Sequence, residues 1–192
     1  MNWIKDFIPT MKRNISQTFG NDKDSKIPEG LWKSCDKCGS ILYIPELKKN
    51  SYVCSKCSHH FKVNVTERID ITFDKDTYVN LNDAEQFNDY LQFKDTKKYK
   101  DRYQDALAKS DADEAISIGT GKVLGKDIVV AIFEFDFLGG SMGAVVGKRF
   151  TKAVDYAVEH NFPLVAFSTS GGARMQESMI SLFQMGKTAA AV

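Results

Sequence analysis

Hydrophobic residues recur at helical spacing in three places along this chain and alternate with polar ones in a fourth, and these patterns predict its elements. Trp3, Ile4, Phe7, Ile8 and Met11 predict a short amphipathic helix over residues 2–12, followed by a polar linker at 14–26. Residues 41–44 and 52–53 are short strand-like pieces between turns. Residues 66–113 are mostly charged, with an aromatic-containing stretch at 93–102 that leads into a helix ending near Ala108, whose plain reading is a solvated face. Residues 115–123 and 127–137 read as two strands joined at Gly125-Lys126, with Phe133, Phe135 and Phe137 alternating against Glu134 and Asp136. A glycine turn at 139–143 follows. Phe150, Ala153, Val154, Ala157 and Val158 then mark a helix with one buried face, which Pro163 ends. Residues 164–167 form a short buried strand and 168–172 a second small-residue turn. Met175, Met179, Leu182, Phe183 and Gly186 line one side of a last helix. Strand, glycine turn and helix thus occur twice in succession.

Length and charge narrow the class. At 192 residues the chain has room for one ordinary domain and a small module. A net charge of +1 with 27% charged residues is the balance of a globular protein, not of one that coats nucleic acid or adsorbs to membranes. Residues 1–65 carry 11 Lys+Arg against 6 Asp+Glu, so the basic excess sits at the cysteine-bearing end. Asp6 and Pro9 interrupt the N-terminal apolar stretch and no small-residue cleavage site follows, which argues against a secretory signal. No apolar run approaches the roughly 20 residues that cross a bilayer as a helix. The cytoplasm is the expected compartment, and reduced thiols go with it.

All four cysteines stand in two Cys-x2-Cys pairs, Cys35 with Cys38 and Cys54 with Cys57, 15 residues apart. That spacing lets four thiolates converge on one tetrahedral Zn²⁺, and a closed shell of soft ligands implies a structural ion. His59 and His60 lie nearby, but four cysteines already complete the shell, and both are read as surface residues. Lys33, Lys37, Lys48, Lys49, Lys56 and Lys62 surround the pairs, so weak nucleic-acid binding through this ribbon stands as a further expectation.

Chemistry in the second half centres on the two small-residue turns. Gly139-Gly140-Ser141-Met142-Gly143 satisfies G-x-S-x-G in a strand-turn-helix context, which raises a serine hydrolase using Ser141. The later His160 and Asp155 lie on the helix that Ser141 introduces and point about 140° apart, so that hydrolase needs a histidine from elsewhere. Neither the spacing of Gly140, Gly143 and Gly147 nor Ser181 ahead of Gly186-Lys187-Thr188 fits a nucleotide-binding loop. Ser170-Gly171-Gly172-Ala173-Arg174-Met175-Gln176-Glu177 places two glycines at a helix start. There, bare N–H groups either hold an oxyanion or simply allow close packing.

These motifs, with Ile27-Pro28-Glu29-Gly30-Leu31-Trp32 and Asp95-Thr96-Lys97-Lys98-Tyr99-Lys100-Asp101-Arg102, resemble the β subunit of the bacterial and plastid acetyl-CoA carboxylase carboxyltransferase over nearly the whole chain. The resemblance implies an α/β crotonase-like fold of repeated ββα units behind a four-cysteine zinc ribbon. It divides the chain into an N-terminal helix and linker (1–30), the ribbon (31–61), a charged connecting segment (62–112) and the first part of the crotonase-like domain (113–192). The implied activity is transfer of a carboxyl group from carboxybiotin on a carrier protein to acetyl-CoA, giving malonyl-CoA for fatty acid synthesis. Gly171 and Gly172 become the candidate enolate-stabilising positions. Gly139, Gly140, Ser141, Met142, Gly143 and Arg174 become candidate cofactor-binding positions. The implied partners are a carboxyltransferase α subunit in an α2β2 assembly, the biotin carboxyl carrier protein and biotin carboxylase. Family members continue past the position of Val192, and Ala189-Ala190-Ala191-Val192 has no capping residue or polar exit, so the expectation is a chain cut inside the domain.

Overall fold

A computed structural model describes residues 30–84 and 87–192; the helix expected at 2–12 and the linker at 14–26 lie outside them. Strands β1 (Trp32–Ser34) and β2 (Ile41–Tyr43) pair antiparallel, with Trp32 opposite Tyr43. The predicted strand at 41–44 stops at Tyr43 because Pro45 suits the first turn of a helix, and α1 (Ile44–Lys49) starts there. Around these elements Cys35, Leu42, Leu47, Tyr52, Cys54 and Phe61 form a small core.

Helix α2 (Val65–Thr72) opens with a capping box, in which the Asn64 side chain accepts from Glu67 N–H and the Glu67 carboxylate accepts from Asn64 N–H. After the two-residue strand β3 (Val79–Asn80), residues 93–98 form a loop, and α3 runs only from Tyr99 to Lys109. Asp95 holds that loop, accepting from Lys97 N–H at 2.9 Å and Arg102 Nη2 at 2.7 Å.

Strands β4 (Ile116–Val123) and β5 (Lys126–Phe133) form the predicted hairpin, whose turn is Leu124-Gly125, both at positive φ. Such a turn matches the twist of the strands, and Asp74 accepts both of its N–H groups. Helix α4 (Ala144–His160) crosses over to β6 (Leu164–Phe167), which pairs parallel with β5, and α5 (Met179–Ala191) follows. The sheet order is β3-β4-β5-β6. Val129 and Ala131 pack on one face with α3 and α4, while Ile128, Val130 and Ile132 pack on the other against Val65, Ile69 and Phe73. Burial on both faces explains the unbroken apolar run of β5.

Three expectations are corrected here. The strand at 164–167 is not buried: Val165 and Ala166 of β6 are exposed. The second strand ends at Phe133 and does not reach 137. Glu134 turns inward, where its carboxylate accepts Val65 N–H and Asp136 N–H, each at 3.1 Å; Phe135 is left exposed and Phe137 fully buried. Met175, expected on the last helix, lies before it in a separate 3-10 turn; the rest of the expected stripe is on α5 and faces solvent, with Met179 56% and Phe183 66% exposed. It is Ser181 and Gln184 that are buried, with Gln184 packed where a side chain on Gly147 of α4 would stand.

Candidate active site and metal centre

The two cysteine pairs sit on matching turns. Gly39 N–H returns to Cys35 O at 2.8 Å and Ser58 N–H to Cys54 O at 2.9 Å. Cys35 N–H and Cys54 N–H donate to the carbonyls of Ser40 and His59. Gly39 and Ser58 both adopt positive φ, which folds each turn tightly enough to aim both thiols of a pair inward. The four Sγ atoms lie within 4.8 Å of one another, with Cys35–Cys57 at 3.6 Å and Cys38–Cys54 at 3.9 Å. A tetrahedral zinc–tetrathiolate unit with bonds of about 2.3 Å has edges of about 3.8 Å, so the donor set fits zinc.

Neither histidine belongs to that cluster: His59 packs edge-on against Phe61 and His60 is exposed. The hydroxyl and N–H of Ser40 pull the Cys38 thiol down to about 6, whereas burial pushes Cys57 up to about 12. Four thiolates therefore come together only around a cation. Since two of the six core residues are themselves ligands, the ribbon is expected to unfold on chelation. Metal analysis should find one zinc per chain, lost in Cys54→Ser; ribbon amides that stay protected after zinc removal would contradict this.

The structure brings the two glycine turns together at the C-terminal ends of β5 and β6, where open α/β sheets place their ligands. Three backbone bonds join them: Gly171 N–H to Gly139 O at 2.8 Å, Met142 N–H to Gly172 O at 2.8 Å, and Arg174 N–H to Met142 O at 3.0 Å. A Cβ on Gly140 would stand 2.5 Å from Thr169 O, and one on Gly171 would stand 3.2 Å from Gly139 O. At these two positions glycine serves close packing. Gly172 differs. Its φ is +106°, and among the described residues nothing lies within 4 Å of where its Cβ would be and its N–H is held only by the Ser170 hydroxyl, at 3.0 Å. The expected N–H pair is thus unequal, with Gly171 N–H committed to the neighbouring loop and Gly172 N–H open to exchange.

Arg174 is 1% exposed, and its guanidinium lies behind the loops. Nη2 donates to Glu114 Oε1 at 2.5 Å and Ser141 O at 2.8 Å, Nε to Ser141 Oγ at 3.1 Å, and Nη1 to Tyr99 Oη at 3.1 Å and Glu114 Oε2 at 3.2 Å. Burial opposes the charge, yet Glu114 beside it raises the Arg174 pKa, so it stays ionised. Tyr99 is pushed up by its own burial and donates to Glu177 Oε1 at 2.7 Å. Sequence reasoning assigned no role to Glu114, Tyr99 or Glu177; a pattern-based signal existed only for Tyr99 and Glu177, which lie within the motifs at 95–102 and 170–177. Ser141 touches a guanidinium, which cannot serve as a base. His160 lies at the far end of the 17-residue α4, roughly 24 Å away. Among the described residues no hydrolase triad forms.

Residues 62–192 match the carboxyl transferase domain, and residues 32–57 match the acetyl-CoA carboxylase zinc finger domain. The chain belongs to the carboxyl transferase domain family. Ribbon followed by carboxyl transferase domain is the layout of the acetyl-CoA carboxylase carboxyltransferase β subunit. Among solved structures, transcarboxylase 12S with methylmalonyl-coenzyme A and methylmalonic acid bound is 24% identical over 68% of this chain and 23% of its own, with a TM-score of 0.52. The same enzyme with hydrolysed methylmalonyl-coenzyme A is 22% identical over 76% of this chain and 24% of its own, at 0.51. The Pseudomonas malonate decarboxylase MdcD–MdcE heterodimer is 21% identical over 68% of this chain and 46% of that one, at 0.49. The chain therefore spans about a quarter of the transcarboxylase chains it matches. At these identities the likeness shows the fold, and that fold is the α/β crotonase-like one expected of the carboxyl transferase domain. Among the described residues no helix is long and apolar enough to cross a membrane.

Proposed function

We propose that this chain is the acceptor half of a carboxyltransferase that moves a carboxyl group from carboxybiotin to acetyl-CoA, giving malonyl-CoA for fatty acid synthesis. The observation that carries the reading is Gly172, whose N–H sits on an exposed loop at the end of β6 and donates to a rotatable side-chain hydroxyl, not to a fixed backbone carbonyl. The acetyl methyl must lose a proton before it attacks the carboxyl carbon, and the resulting enolate oxygen needs a donor that is already in place. On this reading Ser170 rotates away and Gly172 N–H takes the oxygen, while Gly171 fixes the loop through Gly139. Carboxybiotin, when bound, would release its carboxyl group as CO2, and the freed ureido group would take the methyl proton, leaving the enolate carbon to attack that CO2. The Gly139–Gly143 turn then lies along the thioester, and Arg174 acts from behind by ordering Ser141.

Carboxybiotin reaches the site on a biotin carboxyl carrier protein charged by biotin carboxylase, and an α subunit completes an α2β2 enzyme. The solvent-facing apolar side of α5, Met179, Leu182, Phe183 and Met185, supports an assembled state. The test is transfer of labelled carboxyl from carboxybiotin by the assembled enzyme. Acetyl-CoA is expected to be the preferred acceptor over propionyl-CoA and longer acyl-CoAs; preference for a longer acyl group would overturn the substrate assignment.

One observation favours a second role. The six ribbon lysines are exposed, and Trp32, 52% exposed, lies tilted against Tyr43 with ring centroids 5.1 Å apart; exposed cations beside an exposed aromatic are the mixture that single-stranded nucleic acid uses. Binding that weakens steeply with salt would support it, and none at low salt would remove it.

A further inference from the structure

Glu177 lies behind the glycine loops with no part in the chemistry above, although it is a buried carboxylate. Its distances say what it does. Arg174 stands 3.4 Å away and is satisfied by Glu114, with which it makes a contact of 2.5 Å. The shorter contacts of Glu177 are Ala144 N–H at 2.6 Å, onto Oε2, and the Tyr99 hydroxyl at 2.7 Å, onto Oε1. Ala144 is the first residue of α4, whose N-cap is Gly143 and whose first turn contains no acidic residue. A helix start carries partial positive charge and unpaired N–H groups, and here a carboxylate from 33 positions later caps it.

We propose that Glu177 is a positioning residue that sets the two glycine loops at one separation by capping α4 from the far side. The cap joins the end of the first loop, at Gly143, to the 3-10 turn that follows the second, Met175–Glu177. Its consequence for turnover rests on the carboxyltransferase reading; its geometry does not. Gly143 is the matching half of the device. A Cβ there would stand 2.5 Å from Glu177 Oε1 and 2.9 Å from Arg174 Nη1, so the absence of a side chain at 143 is what lets the carboxylate reach Ala144.

The test is a cycle of Glu177→Ala, Gly143→Ala and the double variant in the assembled enzyme, with Glu177→Gln alongside. Amide exchange is measured together with kcat and KM. Glu177→Ala is expected to speed exchange at Ala144 and Met142, to lower kcat by about 10–100-fold, as small misplacements of reacting groups do, and to leave KM for acetyl-CoA within about threefold. Glu177→Gln keeps an acceptor for Ala144 N–H and should restore most of the rate. Gly143→Ala should resemble Glu177→Ala, and the double variant should be no worse than either, because both remove one contact. Unchanged protection of β4 and β5 and unchanged zinc content show that the fold is intact. Additive losses, a raised KM at normal kcat, or no rescue by Gln would overturn the proposal. Should the unaltered enzyme carboxylate no acyl-CoA, the functional reading fails by itself, and exchange at Ala144 and Met142 still decides the cap: unchanged exchange in Glu177→Ala rejects it.

Discussion

Gly172→Val is expected to lower malonyl-CoA formation by the assembled enzyme on the order of 10²-fold or more, the scale of losing one oxyanion donor. Gly172 has φ +106°, a conformation that a branched residue adopts only under strain, and the space above it is clear. Valine either twists the loop, withdrawing the N–H, or covers the place where the oxygen arrives. The two serines give the contrast. The Ser141 hydroxyl accepts from the Arg174 guanidinium, and the Ser170 hydroxyl accepts from Gly172 N–H. Ser141→Ala and Ser170→Ala are expected to stay within about tenfold of the normal rate. A nucleophilic Ser141 predicts the reverse, with turnover abolished by Ser141→Ala. Steady-state rates on variants that retain zinc and assembly separate the two.

Arg174→Met is the second large effect, and it falls on stability. Methionine fills the volume but leaves Glu114, 1% exposed, and Glu177 buried without their cation. Removing one member of a buried ion pair costs about 3–5 kcal/mol, more than a typical point substitution. Denaturant unfolding should show the unfolding free energy lowered by that amount, seen as a lower midpoint at unchanged slope. Adding Glu114→Gln should recover part of it, because the penalty comes from the stranded charge and not from the missing contact.

Local signals account for what was legible beforehand. The ribbon followed from the spacing of four cysteines, and the hairpin from β-branched runs around Gly125. The α4 helix followed from Ala153, Val154 and Ala157, although Val158 proved exposed and Arg149, held by Asp113 at 2.6 Å, took a buried place on that helix. Both glycine turns were visible as motifs. Their mutual arrangement was not, because it depends on Tyr99, Glu114, Arg174 and Glu177, which lie up to 78 positions apart and share no periodicity. The end of β5 was misjudged for a related reason: alternation cannot register that Glu134 has a partner at Val65 N–H, 69 positions away. On α5 the stripe holds from Met179 onward but not at Met175, and its pattern does not say which side meets α4. Ser181 and Gln184 do so, against small residues such as Gly147.

If Gly172 N–H receives the acyl oxygen, as proposed, its amide resonance in the ¹⁵N-labelled chain of the assembled enzyme should report the exchange. Saturating acetyl-CoA is expected to shift the Gly172 resonance strongly as the Ser170 bond is exchanged for the thioester oxygen, with Gly119 and Gly125 of the β4–β5 hairpin unmoved. A Gly172 resonance that stays in place while the same sample turns over acetyl-CoA would contradict the account.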